Sequence, residues 1–142
     1  MKALLFPGQG VQKVGMLNSL FEEVSEVKSI IDGVSKSLDF DLEDLLRNGP
    51  EEKINLTEFS QPTILVTSVL LAKYSNKLSN IDITAGLSLG EYSALVYSNS
   101  LDLSDAVKLV NYRGRLMQEA VPEGTAGMLV VLNMPINDVY KM

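Results

Sequence analysis

A serine between two glycines is the residue whose type and spacing best suit covalent chemistry. Gly86, Ser88 and Gly90 form the pattern Gly-x-Ser-x-Gly, between a β-leaning segment at residues 81–85 and a helical pattern of apolar residues. At such a strand-to-helix junction the turn pushes the serine hydroxyl out of the sheet and leaves the next backbone N–H free. The pattern predicts a nucleophile elbow, with Ser88 as nucleophile and the Leu89 N–H as an oxyanion donor. The pentapeptide by itself also occurs in ordinary turns.

An arginine in a later helix is the second candidate. Between residues 106 and 120 the apolar residues recur at helical spacing, which places Arg113 inside the apolar stripe and Arg115 on the side facing water. Ser104 is the predicted N-cap. An inward guanidinium needs an anionic partner. A structural salt bridge and a receptor for a ligand carboxylate both meet that need, and the planar, bidentate guanidinium suits the second.

Histidine is absent from all 142 residues. A serine nucleophile needs a base to accept its proton, and histidine is the usual one. Either Ser88 is not a nucleophile or its base lies outside this chain. Cysteine is absent too, so neither a disulfide framework nor a thiolate metal site is available. We expect no metal and no bound cofactor.

The composition is typical of a folded domain and argues against nucleic acid as a partner. Hydrophobic residues make up 46% of the chain, and 12 Lys and Arg against 18 Asp and Glu give a net charge of −6. A nucleic-acid binder usually has the opposite charge bias. No apolar run is long enough for a signal peptide or a membrane span, and a cytoplasmic protein is expected.

Alternating strand and helix patterns predict an α/β fold. The apolar run at residues 3–6 suits a buried strand that ends at Pro7 and Gly8. Amphipathic spacing predicts one helix over residues 22–38, and Asp41 is the predicted N-cap of a short helix that ends at Gly49.

A further helix is predicted to start at residues 60–62, with Pro62 in its first turn. The residues that follow are apolar on nearly every side, which is typical of a buried helix. We expect this helix to lie against the sheet near the elbow. In this position Gln61 is a candidate for a capping residue.

Three segments in the same order resemble malonyl-CoA:acyl-carrier-protein acyltransferases of fatty-acid and polyketide synthesis. They are residues 6–10 (Phe-Pro-Gly-Gln-Gly), residues 86–94 around Ser88, and residues 113–124. The resemblance extends from residue 3 to about residue 132. Two departures are Val11, where a small polar residue is more usual, and Leu87, where most members have a histidine that is not the catalytic base.

The resemblance implies an α/β-hydrolase-like acyltransferase large domain with a parallel sheet. Residues 1–125 would form part of that domain, and residues 126–142 would begin a ferredoxin-like subdomain, with a linker at 122–127 and a strand at 128–132. Family members are considerably longer, and their catalytic histidine follows the segment matched here. The chain is therefore expected to be an N-terminal portion, close to inactive alone, that associates with itself or with a complementing C-terminal piece.

The resemblance also implies an activity, ping-pong transfer of malonate. Ser88 would attack the thioester of malonyl-CoA, the N–H groups of Leu89 and Gln9 would hold the oxyanion, and Arg113 would pair with the malonyl carboxylate. The acceptor would be the phosphopantetheine thiol of an acyl carrier protein. Two more residues are assigned to the substrate site, Gln61 and Met117.

Two other functions are compatible with the sequence. An acyl or thioester hydrolase on the same fold shares the elbow and the oxyanion hole, but an inward arginine has no use in hydrolysis of simple acyl groups. A catalytically silent module that binds a partner agrees with the missing histidine.

Overall fold

A two-stranded parallel sheet and eight helices make up the part of the chain that the computed structural model describes, residues 1–75, 78–121, 124–125 and 131–141. The strands are β1 (Ala3–Phe6) and β2 (Ile83–Gly86). The helices are α1 (Asn18–Glu23), α2 (Ser25–Ser35), α3 (Leu42–Asn48), α4 (Glu51–Asn55), α5 (Thr57–Tyr74), α6 (Leu89–Tyr97), α7 (Leu103–Ala120) and α8 (Ile136–Val139). The predicted α/β class is confirmed.

The sheet brings the ends of the two predicted strands together. β1 and β2 are parallel, and their register places Phe6 opposite Gly86. On one face, Phe6 is buried in a cluster with Ala72 of α5 and Ala94 of α6. The other face carries Leu5 and Ile83, which are 71% and 47% exposed. Parallel sheets are normally covered on both faces, so the described residues cover half of this sheet.

Helix α5 is the buried centre of the helical layer. It packs against α6, which follows the elbow, and against α7. Among its fully buried residues are Ile64, Leu65 and Leu70. The prediction of a buried helix near the elbow is therefore confirmed.

The predicted start of α5 at residues 60–62 is wrong, because the helix begins at Thr57 and Pro62 lies inside it. A proline has no N–H, so the carbonyl four residues earlier, that of Glu58, loses its helical donor. The side-chain amide of Asn111 in α7 donates to this carbonyl instead, at 3.0 Å. A tertiary hydrogen bond thus allows proline in the helix interior.

Two other helix boundaries differ from the predictions. The single helix expected over residues 22–38 is two helices, separated by Val24, whose backbone is extended. The N-cap of α7 is Asp102 rather than Ser104, since the Asp102 carboxylate accepts from the N–H groups of Ser104 and Asp105. Asp41 caps α3 as predicted, by accepting from the Asp44 N–H.

The predicted linker and strand at residues 122–132 fall largely outside the described residues. The division into a large domain and a ferredoxin-like subdomain therefore stays a prediction. Of the helices that the structure describes, none is long and apolar enough to cross a membrane.

Candidate active site

The turn from β2 into α6 has the backbone geometry of a nucleophile elbow. Ser88 has φ 53° and ψ −104°, and α6 begins at the next residue, Leu89. A positive φ is uncommon for a residue with a side chain and costs on the order of 1–3 kcal/mol. Strain of this kind persists because the surrounding structure imposes it, and here it presents the serine at the start of a helix.

Two glycines make this turn possible through close backbone approaches. A Cβ at Gly86 would lie 1.9 Å from the carbonyl carbon of Gly90, and one at Gly90 would lie 2.3 Å from the carbonyl oxygen of Phe6. Neither distance is compatible with a side chain. The spacing of the two glycines around Ser88 therefore reflects a steric requirement, as the sequence pattern predicts.

Arg113 of α7 reaches the hydroxyl of Ser88. Its Nη2 donates to Ser88 Oγ at 2.9 Å, and its Nη1 donates to Gln61 Oε1 at 2.7 Å. The guanidinium carbon lies 5.8 Å from the centre of the Tyr92 ring, within the range of a cation–π contact. One guanidinium thus connects the elbow to the second turn of α5.

Gln61 is the fixed end of this connection, because its side chain is completely buried. Its amide oxygen faces Arg113, which can only donate, and its Nε2 donates to Met117 Sδ at 3.2 Å. Gln61 is the fifth residue of α5, so its candidate capping role is wrong. The structure brings Ser88, Arg113, Gln61 and Met117 together, although they come from the elbow turn and from two separate helices, α5 and α7.

The loop after β1 lies beside the elbow. A Cβ at Gly8 would lie 3.1 Å from the carbonyl oxygen of Leu87, and the Leu87 N–H donates to Phe6 O at 3.2 Å. The Gln9 side chain donates from Nε2 to Thr57 Oγ1 at the start of α5, at 3.3 Å. Gln9 is therefore in the right loop for the predicted oxyanion donor, and its role stays a prediction.

The predicted environment of the two arginines needs correction. The buried face of α7 consists of Ala106, Val107, Val110, Asn111 and Gly114. Arg113 lies at the edge of that face and is half-buried, whereas Leu109, Leu116 and Met117 of the supposed apolar stripe are exposed. Arg115 does not simply face water, since it forms ion pairs with Asp39 and Glu58.

Sequence reasoning missed two contributors to this site, Tyr92 and Asn111. Tyr92 lies one helical turn after Ser88 and beneath the guanidinium, a position that the elbow motif itself indicates. Asn111 joins α7 to the first turn of α5. Pro62 was the feature of the sequence that could have indicated a residue such as Asn111. A proline inside a helix leaves the carbonyl four residues earlier without its helical donor, so another group has to donate to it. Within the described ranges, no group of acidic side chains is arranged to hold a metal ion.

Comparison with known proteins relates the whole chain to one family. A family model described as "Acyl transferase domain" matches residues 3–139. A malonyl CoA-acyl carrier protein transacylase of Haemophilus influenzae is 44% identical over 135 residues, which cover 93% of this chain and 43% of that protein.

Solved structures show the same relationship. The malonyl CoA-acyl carrier protein transacylase of Clostridium perfringens superposes with a TM-score of 0.86 at 44% identity, covering 99% of this chain and 45% of that one. A type II PKS acyl-carrier protein has been solved in complex with its malonyl-transacylase, which superposes with a TM-score of 0.79 at 44% identity over 86% of this chain and 40% of that one. The chain spans less than half the length of these relatives.

Proposed function

Because the chain belongs to the acyl transferase domain family, we propose that it forms the nucleophile-bearing part of a malonyl-CoA:acyl-carrier-protein acyltransferase. Its relatives carry that activity in their names. The proposal assigns the acyl-enzyme to Ser88 and the recognition of the acyl group to Arg113, which is supported by Gln61 and Met117.

The contact between Arg113 and Ser88 is the observation that carries this proposal. A cation within 2.9 Å of the nucleophilic oxygen selects an acyl group with a negative charge close to its thioester carbon. In a malonyl group one methylene separates the carboxylate from that carbon, so the carboxylate comes within reach of the Arg113 guanidinium when the thioester carbon is at Ser88 Oγ. A bidentate guanidinium is the preferred partner of such a carboxylate.

Acyl transfer proceeds in two half-reactions at Ser88. The Oγ atom attacks the thioester carbon of malonyl-CoA, its proton passes to a base, and the C–S bond breaks to release the coenzyme A thiol. The N–H groups of Leu89 and Gln9 are the proposed donors to the oxyanion formed on the way. The phosphopantetheine thiol of an acyl carrier protein then attacks the malonyl ester and regenerates the Ser88 hydroxyl.

The proposal takes the base from outside residues 1–142, because histidine, the usual base, is absent from them. Without it Ser88 is a weak nucleophile. The same observation favours a second description for residues 1–142 in isolation, a folded but silent piece of the enzyme. The carrier protein is supported as acceptor by the relative solved in complex with one. Fatty-acid and polyketide synthesis both use this reaction.

The test compares Arg113→Ala with Arg115→Ala in the full-length protein. A charge-assisted pair is worth about 1.5–3 kcal/mol, so Arg113→Ala should lower malonyl transfer by roughly 10- to 150-fold more than acetyl transfer. Arg115→Ala removes a cation two residues away on the same helix, whose partners are Asp39 and Glu58, and should leave the malonyl preference unchanged. Equal losses on both substrates would refute carboxylate recognition by Arg113. Release of free malonate without transfer would identify a hydrolase.

A further inference from the structure

The guanidinium of Arg113 is held between two acceptors of different kinds. Nη1 is bound to Gln61, which is completely buried and has its own second contact to Met117. Nη2 is bound to the Ser88 hydroxyl, a neutral acceptor on a strained turn. The Gln61 end is anchored by the core, whereas the Ser88 end can be exchanged for another acceptor by a small rotation of the guanidinium.

The bond from Nη2 makes Ser88 a poorer nucleophile. Attack on a thioester moves an electron pair from Oγ to carbon, and a donated hydrogen bond from a cation holds that pair on oxygen. A neutral base that accepts the Ser88 proton also becomes positively charged near Arg113, and the two like charges repel each other. The guanidinium further occupies space beside Oγ that an acyl group must enter.

A carboxylate is a better acceptor for Nη2 than a hydroxyl. A carboxylate adds the attraction of opposite charges to the hydrogen bond, and an arginine can meet it with two parallel N–H groups. An acyl group that carries a carboxylate can therefore draw Nη2 away from Ser88. The negative charge of the carboxylate also offsets the positive charge of Arg113 when the base becomes positive. An acetyl group has no carboxylate and no charge.

We propose that Arg113 clamps the Ser88 hydroxyl in the ligand-free site and that the carboxylate of the incoming acyl group releases it. The inference rests on the proposed function of the site and extends it, because the carboxylate then contributes to the acylation rate as well as to binding. Selectivity for malonyl groups then follows from two effects of Arg113. It attracts the malonyl carboxylate, and it lowers the reactivity of Ser88 toward neutral acyl groups.

The experiment measures how fast Ser88 reacts with a neutral reagent that has no carboxylate. The full-length protein is treated with phenylmethylsulfonyl fluoride, which forms an O–S bond to Ser88 and releases fluoride, and the modified peptide is quantified by mass spectrometry. The variants are Arg113→Ala and Arg113→Gln. Arg115→Ala is the control on the same helix, and Ser88→Ala identifies any labelling elsewhere. Thermal melting shows which variants keep the fold.

Both Arg113 variants should be sulfonylated about tenfold faster than the wild type, the effect expected from removing one hydrogen bond. Arg115→Ala should react at the wild-type rate. A folded Arg113 variant with an unchanged or lower rate would overturn the clamp. This outcome is distinct from failure of the proposed function, because malonyl preference can be lost in Arg113→Ala while the labelling rate stays unchanged.

Discussion

Replacing Gly90 by alanine tests whether the elbow depends on contact between α6 and β1. The added Cβ would lie 2.3 Å from Phe6 O and 2.8 Å from Pro7 O, both backbone atoms that cannot rotate away. Ordinary van der Waals contact starts at 3.4 Å. Helix α6 must therefore shift from β1 by about 1 Å, and it carries Ser88 and the Leu89 N–H with it.

The size of this shift sets the expected effect. A displacement of about 1 Å at a reacting group costs on the order of 100-fold in rate, and overpacking of a core costs about 1–3 kcal/mol in stability. In the full-length protein, Gly90→Ala should lower kcat/KM for malonyl transfer by about 100-fold. The assay follows malonyl transfer to a carrier protein, and urea denaturation gives the stability.

Gly33→Ala is the matched control. Gly33 lies in α2, and a Cβ there would meet no atom within 4 Å. Alanine is favoured over glycine in a helix interior by about 0.5–1 kcal/mol, so this variant should be slightly more stable and fully active. Wild-type activity and stability in Gly90→Ala would refute the steric reasoning for the elbow.

Three further predictions follow from other parts of the structure. Ser88→Ala and Ser88→Gly should both lose the acyl-enzyme seen by mass spectrometry. The glycine variant should nevertheless be more stable than the alanine variant by about 1 kcal/mol, because glycine relieves the strain of the positive φ. Equal stabilities of the two variants would argue against backbone strain. The hydrogen bond from Lys28 is the main cause that holds the pKa of Glu43 below its usual 4.5. The ionised Glu43 therefore stabilises the fold fully above pH 4.5, and this stabilisation is lost as the pH falls through the lowered pKa. Glu43→Gln should be less stable than the wild type at pH 7, and the difference in the free energy of unfolding should disappear on acidification. A difference that does not change with pH in urea denaturation would contradict this. Residues 1–142 produced alone should self-associate through the face that exposes Leu5, and Leu5→Glu should reduce the association measured by light scattering; they should also fail to turn over malonyl-CoA, and turnover at about 1 s⁻¹ or more would show that the base lies within the chain.

The elbow could be predicted because its determinants are local. Gly86 and Gly90 are needed where backbones approach too closely for a Cβ, and the contacts involve the turn itself and the strand next to it. Five residues of sequence contain most of that information. The sequence therefore predicts the geometry of the turn without knowledge of what else packs around it, and the roles of Ser88 and Leu89 stay predictions.

The surroundings of Arg113 could not be predicted in the same way. Helical periodicity gives the angle of a residue around an axis, but the buried face of α7 is decided by its approach to α5. A Cβ at Gly114 would lie 2.7 Å from the Cα of Glu58, so the two helices are closest there. This approach centres the buried face on Asn111 and Gly114 and leaves Arg113 at its edge, where it can reach Ser88.

The reach of Arg113 thus depends on two close backbone contacts that have no polar chemistry of their own. Gly90 holds α6 against β1 and thereby fixes Ser88, while Gly114 holds α7 against α5 and thereby fixes Arg113. Asn111 contacts the same residue of α5, Glu58, since its amide replaces the hydrogen bond that Pro62 cannot donate to the Glu58 carbonyl. Ser88 before α6 and Arg113 in α7 can meet at 2.9 Å because each of these two helices is positioned by a glycine at its point of contact. The precision of the site therefore comes from residues that take no part in its chemistry.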